Sequence, residues 1–328
     1  MTEKRILFIS KGEGASSTRY RALQFFPLFM QKGWSPHHVS ASGGLFAWCK
    51  TLQMAQQADV VVVLRKTFPA PMLWMLRKVS KRLMFDLDDA IFCNTDGTAS
   101  HTRMNRFAAI ARVCDHIFAG NAFLAEQSSL FNPAVSIIPT GLNTKKYACP
   151  SVEKPGNHVD LVWIGSQSTR KYLLDILPAL EHAFQRCPGL RLKIIADFNL
   201  PDAQLPTIPI AWSEALEAEH LASAHIGLAP MRSDDWSRGK CALKVLQYMS
   251  ARLPVISSKA GMNAEIVKQG ESGLLVSTDD EWSAAIKQLA ADENMRLSMG
   301  LAGQSLVKGS YDISVVFEKM ISVMENTY

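Results

Sequence analysis

The chain alternates between short apolar runs and longer stretches in which apolar residues recur every three or four positions. Short runs of this kind are typical of parallel strands buried between helix layers, and the longer stretches are typical of the covering helices. Six strands are predicted in each half: Arg5–Ser10, His37–Ser40, Asp59–Leu64, Leu83–Leu87, His116–Ala119, Val135–Pro139, and then Asp160–Ile164, Arg191–Ala196, Ile208–Trp212, His225–Ala229, Pro254–Ser257, Gly273–Val276. Because strand and helix alternate throughout, each half is predicted to be its own doubly wound α/β sheet, followed by a helical tail from Asp279.

The chain is long enough for two domains. Its 328 residues, 48% hydrophobic and 20% charged, exceed what one hydrophobic core usually serves. The stretch YACPSVEKPGNH, from Tyr147 to His158, has two prolines, a glycine and no periodicity, and is predicted to be the linker. Two facing α/β domains would form a cleft at the carboxyl ends of both sheets, so function is expected on the loops that follow the strands.

Targeting and redox signals are few. No apolar run approaches the roughly 18 residues that a spanning helix needs, and the first residues lead into a strand without a small-residue cleavage site. The six cysteines are scattered, with no CxxC pair and no spacing typical of zinc. The chain is therefore expected to be cytoplasmic, neither secreted nor membrane-spanning, with reduced thiols.

Charge is divided unevenly between the halves. Residues 1–150 hold 18 Lys/Arg and 9 Asp/Glu, a net charge of +9, whereas residues 151–328 hold 17 and 21, a net charge of −4. A basic half suits nucleic acid, anionic lipid or a phosphorylated substrate. No nucleic-acid recognition motif is present, so no nucleic-acid partner is predicted.

Apolar and cationic residues are mixed in the segment LRKTFPAPMLWMLRKVSKRL, from Leu64 to Leu83. This mixture on one short helix is what a peripheral contact with an anionic membrane requires, and residues 65–83 are predicted to make one at the inner face of the cell membrane. The alternative is an ordinary helix that packs on the sheet and has a basic outer face.

The first loop after a strand, KGEGASSTRYRA, is one candidate anion site. Gly14 would let the backbone approach a ligand, and Arg19 lies near the start of a helix predicted to be capped by Ser16 or Ser17. The loop is not a GxGxxG, and the alternative is a flexible loop with solvated arginines.

Three carboxylates, Asp86, Asp88 and Asp89, stand in FDLDDAIF at the end of a predicted strand. One of them would serve as a base, hold a sugar hydroxyl or take part in a metal site; the alternative is that they cap the next helix. Downstream, His101 is the histidine best placed to reach the cleft, unless it is simply exposed.

In the second half, the strand that ends at Ile164 runs into GSQSTRKYLLDILPAL. Gly165 and Ser166 make a tight turn whose amides would hold a phosphate, and Arg170 follows within a turn or two. The alternative is a plain turn and a basic start to a helix.

The densest segment runs from Ala229 to Glu265, APMRSDDWSRGKCALKVLQYMSARLPVISSKAGMNAE. Lys240 and Lys244 are four residues apart near a predicted helix start, so they would lie on one face and converge on a diphosphate at its N-terminus. The alternative is a pair of solvated cations. Gln247 comes one turn later along the same face.

Three stretches of the chain follow known signature sequences in the same order. IPTGLNTKKY is similar to IPNGVD..RF, AHIGLAP is similar to ADIGLMP, and LKVLQYMSARLPVISSKAGMNAEIVKQGESGLLV follows LVLLEAMA.G.PVI....GG..EIV..G..G.LV almost position by position. Through these motifs the chain resembles the retaining family 4 glycosyltransferases of GT-B fold. The similarity is spread over most of the chain and is strongest from Ala224 to Val276.

The resemblance implies two Rossmann-like domains facing across a cleft. It assigns residues 1–150 to an acceptor domain, 151–310 to a nucleotide-sugar domain and 311–328 to a helix crossing back onto the first domain. It also implies retention without a metal, because cationic side chains and helix N-termini stabilise the departing diphosphate. Lys240, Lys244 and Arg170 match that role.

The chain departs from the family at its paired glutamates, which would fall on Gly239 and Gln247. Gln247 can still bind a ribose hydroxyl, and Asp234 or Asp235 would replace the glutamate that faces the sugar. Glu265, in the EIV motif, completes the predicted donor site.

The predicted function is transfer of a sugar from a nucleoside-diphosphate sugar to a hydroxyl of a glycan or lipid-linked acceptor, in bacterial cell-surface polysaccharide synthesis. Lys240, Lys244, Asp88 and His101 are the predicted catalytic residues, with no cofactor beyond the sugar nucleotide. The alternative is an inactive relative that binds a sugar nucleotide or a partner. A dinucleotide-dependent oxidoreductase is disfavoured because no GxGxxG follows Ile9.

Overall fold

A computed structural model describes residues 4–148 and 156–326. Most of the predicted linker therefore lies outside the described residues, as does Cys149; Tyr147, at its start, is buried at the end of a helix. The cysteines at 49, 93, 114, 187 and 241 are free thiols.

All of the predicted strands are present. Their bounds are β1 Lys4–Ser10, β2 Trp34–Ser40, β3 Val60–Leu64, β4 Leu83–Leu87, β5 His116–Ala119, β6 Val135–Ile137, β7 Val159–Ile164, β8 Leu190–Ile195, β9 Thr207–Ile210, β10 Ile226–Ala229, β11 Val255–Ser258 and β12 Gly273–Val276. The α/β prediction is confirmed.

The helices lie between the strands and form the C-terminal part of the chain. Their bounds are α1 Ser16–Arg21, α2 Phe26–Gln31, α3 Leu45–Gln57, α4 Ala70–Val79, α5 His101–Val113, α6 Ala122–Ser129, α7 Thr144–Tyr147, α8 Arg170–Asp175, α9 Leu177–Arg186, α10 Glu217–Ala222, α11 Asp235–Arg238, α12 Leu243–Ser250, α13 Gly261–Ile266, α14 Asp279–Ala291, α15 Glu293–Ser310 and α16 Ile313–Asn326, with 3₁₀ turns at Leu23–Phe25 and Gln167–Thr169. None of the helices within 4–148 and 156–326 combines the length and apolarity needed to cross a bilayer.

Two six-stranded parallel sheets organise the chain. The first has the order β2-β1-β3-β4-β5-β6 and the second has the order β12-β11-β10-β7-β8-β9. In each sheet the chain winds outward from one strand and then returns to wind the other way. The reversals fall between β1 and β3 and between β7 and β10, and ligands of open α/β sheets bind outside the carboxyl ends of strands at such points.

The chain divides into two compact units. The first contains the residues up to Gly141, Asp234–Cys241 and the segment from Ile313 onward, and the second contains Leu142–Ser233 and Ala242–Asp312. The domain limits drawn from the resemblance stay a prediction.

Helix α16 packs on the core of the first unit. Phe317 meets Phe25 and Phe29 with ring centroids 6.3 and 4.9 Å apart, and Arg82 Nη1 donates to Met324 O at 2.8 Å. The same core buries Phe8 and Val62 of the first sheet, so the last helix is part of this hydrophobic cluster.

The predicted cap of α1 is wrong. Ala15 is the N-cap residue and no side chain caps the helix, because Ser16 is already its first residue.

Candidate functional site

The turn after β7 stands at the reversal point of the second sheet. A Cβ on Gly165 would come within 2.2 Å of the Trp163 ring, so only glycine fits there. The Gly165 amide donates to Ile195 O at 3.1 Å and the Ser166 amide donates to Thr169 Oγ1 at 3.2 Å. The two amides predicted to hold phosphate therefore already donate hydrogen bonds within the protein, which stabilise the turn.

Two cations gather around this turn. The Arg170 guanidinium lies 5.4 Å from the Phe198 ring centroid, and its buried Nε has no hydrogen-bond partner among the described residues. Lys244, in the first turn of α12, places Nζ 4.1 Å from the Trp163 ring centroid and donates to Thr169 Oγ1 at 3.3 Å. Aromatic faces attract cations through the ring quadrupole and hold them without cancelling their charge. The carboxyl end of β7 is thus equipped to receive an anion.

Lys240 does not share a helical face with Lys244, contrary to the prediction. Helix α12 begins only at Leu243, and Ala242 before it is left-handed, with φ 52° and ψ 27°. Lys240 belongs to the first unit, where Nζ contacts both Asp89 oxygens at 3.0 Å and lies 4.1 Å from the Trp236 ring centroid. The chain turns at Ala242, so the helical spacing on which the prediction depended does not exist.

The segment 234–241 joins the first unit through close packing and backbone contacts. The Asn121 side-chain amide donates to Arg238 O at 3.0 Å and to Lys240 O at 3.1 Å. A Cβ on Gly239 would come within 2.6 Å of the Ala90 amide nitrogen. The resemblance assigns this segment to the nucleotide-sugar half, whereas its contacts here are with Ala90, which follows β4, and with Asn121, which precedes α6.

Arginines and Lys240 contact the three carboxylates of the segment FDLDDAIF. Asp86 lies within β4, where its oxygens accept from Arg21 Nε and Nη2 at 2.8 and 2.7 Å. Burial raises the pKa of Asp86, while the adjacent Arg21 opposes that rise. Asp88 Oδ1 lies 3.2 Å from Arg65 Nε, an ion pair without hydrogen-bond geometry, and Asp89 accepts from Arg65 Nη2 at 2.5 Å.

These contacts distinguish among the alternatives for the acidic segment. None of the three carboxylates caps the next helix, α5, whose N-cap is Ser100. Across residues 4–148 and 156–326 no three His, Cys, Asp or Glu side chains are grouped as a metal site. A direct role for Asp88 in the reaction stays a prediction.

The remaining predicted residues of the first unit are more exposed. A Cβ added at Gly14 would have no neighbour within 4 Å, so packing does not require glycine there. Arg19, in α1, lies 5.7 Å from the Tyr20 ring centroid. His101 is the exposed first residue of α5.

The predicted carboxylates of the donor segment have local partners. Asp234 caps α11 by accepting from Ser237 N at 2.8 Å, and Asp235 pairs with Arg238 at 3.1 Å. Asp234 and Asp235 both lie in the first unit, and their replacement of the sugar-facing glutamate stays a prediction. Glu265 is exposed in the last turn of α13.

Gln247 is buried in a polar cluster that the sequence did not reveal. It is 3% exposed, and its Nε2 donates to Tyr147 Oη at 3.1 Å and to Glu217 Oε1 at 2.8 Å. Glu217, also 3% exposed, accepts further bonds from Tyr147 Oη and from Trp212 Nε1, the latter at 2.6 Å. The predicted contact of Gln247 with a ribose hydroxyl does not fit this burial. Glu217 was missed because one glutamate in an amphipathic helix carries no sequence signal.

The second half of the chain matches a known family by sequence. The family described as Glycosyl transferases group 1 matches residues 148–292. No curated protein sequence matches the chain.

The fold has similar solved structures that span almost the whole chain. A glycosyltransferase from Rickettsia africae has a TM-score of 0.78 at 11% identity, covering 100% of this chain and 99% of its own. HepE from Anabaena has a TM-score of 0.72 at 13% identity, covering 98% and 100%. Sucrose-phosphate synthase from Thermosynechococcus elongatus has a TM-score of 0.71 at 15% identity, covering 98% of both chains. The chain therefore has the GT-B fold of these structures, and its residues 148–292 match the family of group 1 glycosyl transferases.

Proposed function

We propose that the protein transfers a sugar from a uridine-diphosphate sugar to a hydroxyl of a glycan or lipid-linked acceptor, with retention of the anomeric configuration. The choice of uridine diphosphate is supported by HepE, whose structures contain UDP and UDP-glucose. The proposed setting is bacterial cell-surface polysaccharide synthesis at the inner face of the membrane.

The observation that carries the proposal is the environment of Arg170. A buried guanidinium nitrogen without a hydrogen-bond partner costs free energy unless a ligand satisfies it. Arg170 follows β7 at the sheet reversal point and lies inside the segment that matches the family. A diphosphate provides the acceptor oxygens and the negative charge that this position lacks.

In this proposal Arg170 and Lys244 hold the donor diphosphate and stabilise the charge that develops as the glycosidic bond breaks. Such preorganised cations contribute several kcal/mol to transition-state stabilisation, on the order of 3 kcal/mol each where a single donor has been removed from an enzyme. The acceptor hydroxyl attacks the oxocarbenium-like carbon from the face of the leaving group, and its proton passes to the departing phosphate. The protein supplies orientation and positive charge. Roles for Lys240, Asp88 and His101 stay predictions.

The test is a thermal-shift titration with UDP and UDP-glucose on the Arg170→Ala and Lys244→Ala variants. A ligand at about 100 times its Kd stabilises the folded state by about 2.7 kcal/mol, so it raises the melting temperature of the native protein. We expect the shift to be lost in Arg170→Ala and reduced in Lys244→Ala. Lys287→Ala, which removes an exposed cation on α14, is the matched control and should keep the full shift.

Release of UDP in the presence of candidate acceptors then separates an enzyme from an inactive relative. Binding without turnover for any acceptor would support the relative. A full UDP-glucose shift in both Arg170→Ala and Lys244→Ala would contradict the assignment of the donor site.

A further inference from the structure

The start of α3 exposes two large apolar side chains to solvent. Leu45 is 80% exposed and Phe46 is 87% exposed, the highest values among the large hydrophobic residues that the structure describes. Helix α3 follows β2 directly, so this pair lies on the carboxyl side of the first sheet, where ligands of α/β sheets bind. Adjacent exposed side chains of this size indicate a contact surface rather than chance exposure.

The neighbouring helix α4 repeats the arrangement. Trp74 is 63% exposed, and the Lys78 ammonium lies 5.8 Å from its ring centroid. On α3, Lys50 follows Phe46 by the same four residues and is exposed on the same helical face. Trp48 and Phe68 meet with ring centroids 5.2 Å apart, which ties α3 to the loop that leads into α4.

The charge around these side chains is almost entirely positive. Residues 41–82 contain seven Lys/Arg and one acid, Asp59, and neither helix contains an acid. Asp59 forms an ion pair with Lys81, and Arg77 forms one with Asp115. Three lysines make no ion pair with any residue that the structure describes: Lys50, Lys66 and Lys78. The surface therefore offers unneutralised positive charge beside exposed apolar side chains.

We propose that α3 and α4 form a docking surface for an anionic lipid bilayer. Leu45, Phe46 and Trp74 enter the interfacial region, and the three lysines contact acidic head groups. The segment 65–83 singled out in the sequence supplies only half of this surface, because Arg77 and Lys81 are used in ion pairs within the fold. The tip of α3 supplies the part that inserts.

Charge complementarity favours a bilayer over a second copy of the chain as the occupant. Two copies meeting through this surface would oppose six unneutralised lysines across an apolar contact, whereas acidic lipid attracts the same charges. The advantage to the enzyme rests on the proposed function, since docking at this edge would bring a lipid-linked acceptor to the loops after the strands. The binding itself does not depend on that function.

The experiment is co-sedimentation of the full-length protein with phosphatidylcholine vesicles, with and without phosphatidylglycerol, in the absence of any sugar nucleotide. We expect binding only to the acidic vesicles, weakening as salt is raised, with a loss of about tenfold or more in the partition coefficient of Leu45→Ser/Phe46→Ser. Lys50→Glu/Lys78→Glu should lose binding to a similar extent. The matched control, Leu297→Ser/Leu301→Ser on α15, removes side chains that are 57% and 53% exposed and should bind as the native protein does.

Any of three results would overturn the proposal. These are native binding by Leu45→Ser/Phe46→Ser, an equal loss in the α15 control, and equal binding to vesicles that lack phosphatidylglycerol. Concentration-dependent self-association abolished by Leu45→Ser/Phe46→Ser, without vesicle binding, would assign the surface to a second copy instead. The UDP-glucose thermal shift of Leu45→Ser/Phe46→Ser should equal that of the native protein, which shows that the variant is folded and separates failure of docking from failure of donor binding.

Discussion

Replacement of Gln247 by glutamate should destabilise the second unit, although it restores the residue that the family resemblance predicts there. Gln247 and Glu217 are each 3% exposed, with Nε2 of one 2.8 Å from Oε1 of the other. Gln247→Glu removes a donor that serves both Glu217 and Tyr147 and puts a second carboxyl group in its place.

The size of the effect follows from this geometry. Two ionised carboxylates about 4 Å apart repel by about 4 kcal/mol at an effective dielectric constant of ~20. The variant escapes part of that cost by taking up a proton, since each unit by which a pKa rises corresponds to about 1.4 kcal/mol. We therefore expect Gln247→Glu to lose about 2–4 kcal/mol at pH 7, which lowers the melting temperature by roughly 5–10 °C for a unit of this size.

The pH dependence identifies the cause. A carboxyl group whose pKa is raised by folding binds more protons in the native state than in the unfolded one. The destabilisation that it causes is therefore absent below its unfolded pKa and grows as the pH rises. The assay is the melting temperature of Gln247→Glu between pH 5 and 7, with Glu217→Gln/Gln247→Glu as the partner variant. The double variant restores one carboxylate and one amide and should recover most of the loss. An unchanged melting temperature at pH 7, or no recovery in the double variant, would refute the reasoning.

Two further predictions concern the first unit. Lys240→Met keeps the aliphatic stem but removes one of the two cations that pair with Asp89, whose side chain is 4% exposed, and leaves it Arg65 and the Ala90 amide. We expect the free energy of unfolding to fall by about 1–2 kcal/mol in a denaturant titration, and an unchanged midpoint would show that the Lys240–Asp89 pair contributes nothing. Burial, with help from Arg82, lowers the pKa of His116, so its neutral form contributes stability above its unfolded pKa of about 6.5 that is lost as the pH falls below it. Between pH 7 and 5 the melting temperature of His116→Asn should therefore fall less than that of the native protein. An equal fall in both proteins would contradict this.

The fold followed from the sequence because each strand is a local pattern. Runs such as Ile6–Ile9 and Val60–Leu64 are buried on both faces of a parallel sheet, so they are apolar throughout and stand out against helical periodicity. Strands β4, β5 and β12 have the predicted limits, and the limits of the other strands differ from the predicted ones by at most three residues. The largest difference is the earlier start of β2 at Trp34, where Pro36 argues against a strand but is tolerated on an edge strand.

The site could be predicted only where it follows from position along the chain. Gly165 and Arg170 come directly after a strand at the sheet reversal point, and the structure places them there. Lys240 was misplaced because one left-handed residue, Ala242, separates it from the helix, and an alanine gives no sequence signal for that conformation. Phe198 and Glu217 act through contacts with residues distant in sequence, which single-sequence periodicity cannot reveal.

Both departures from the family's glutamate pair have a packing cause. At position 239 a Cβ would come within 2.5 Å of Ala90 Cβ and 2.6 Å of the Ala90 amide nitrogen, so no side chain fits and a glutamate there would force the segment away from Ala90. At position 247 the buried Glu217 already supplies the carboxyl group, and an amide is the group of similar shape that donates to it. The two substitutions are therefore built into the cores of different units rather than being independent surface changes. Restoring either glutamate alone would disrupt packing before it could rebuild a sugar contact, so the proposed function requires a sugar contact from another position in the chain.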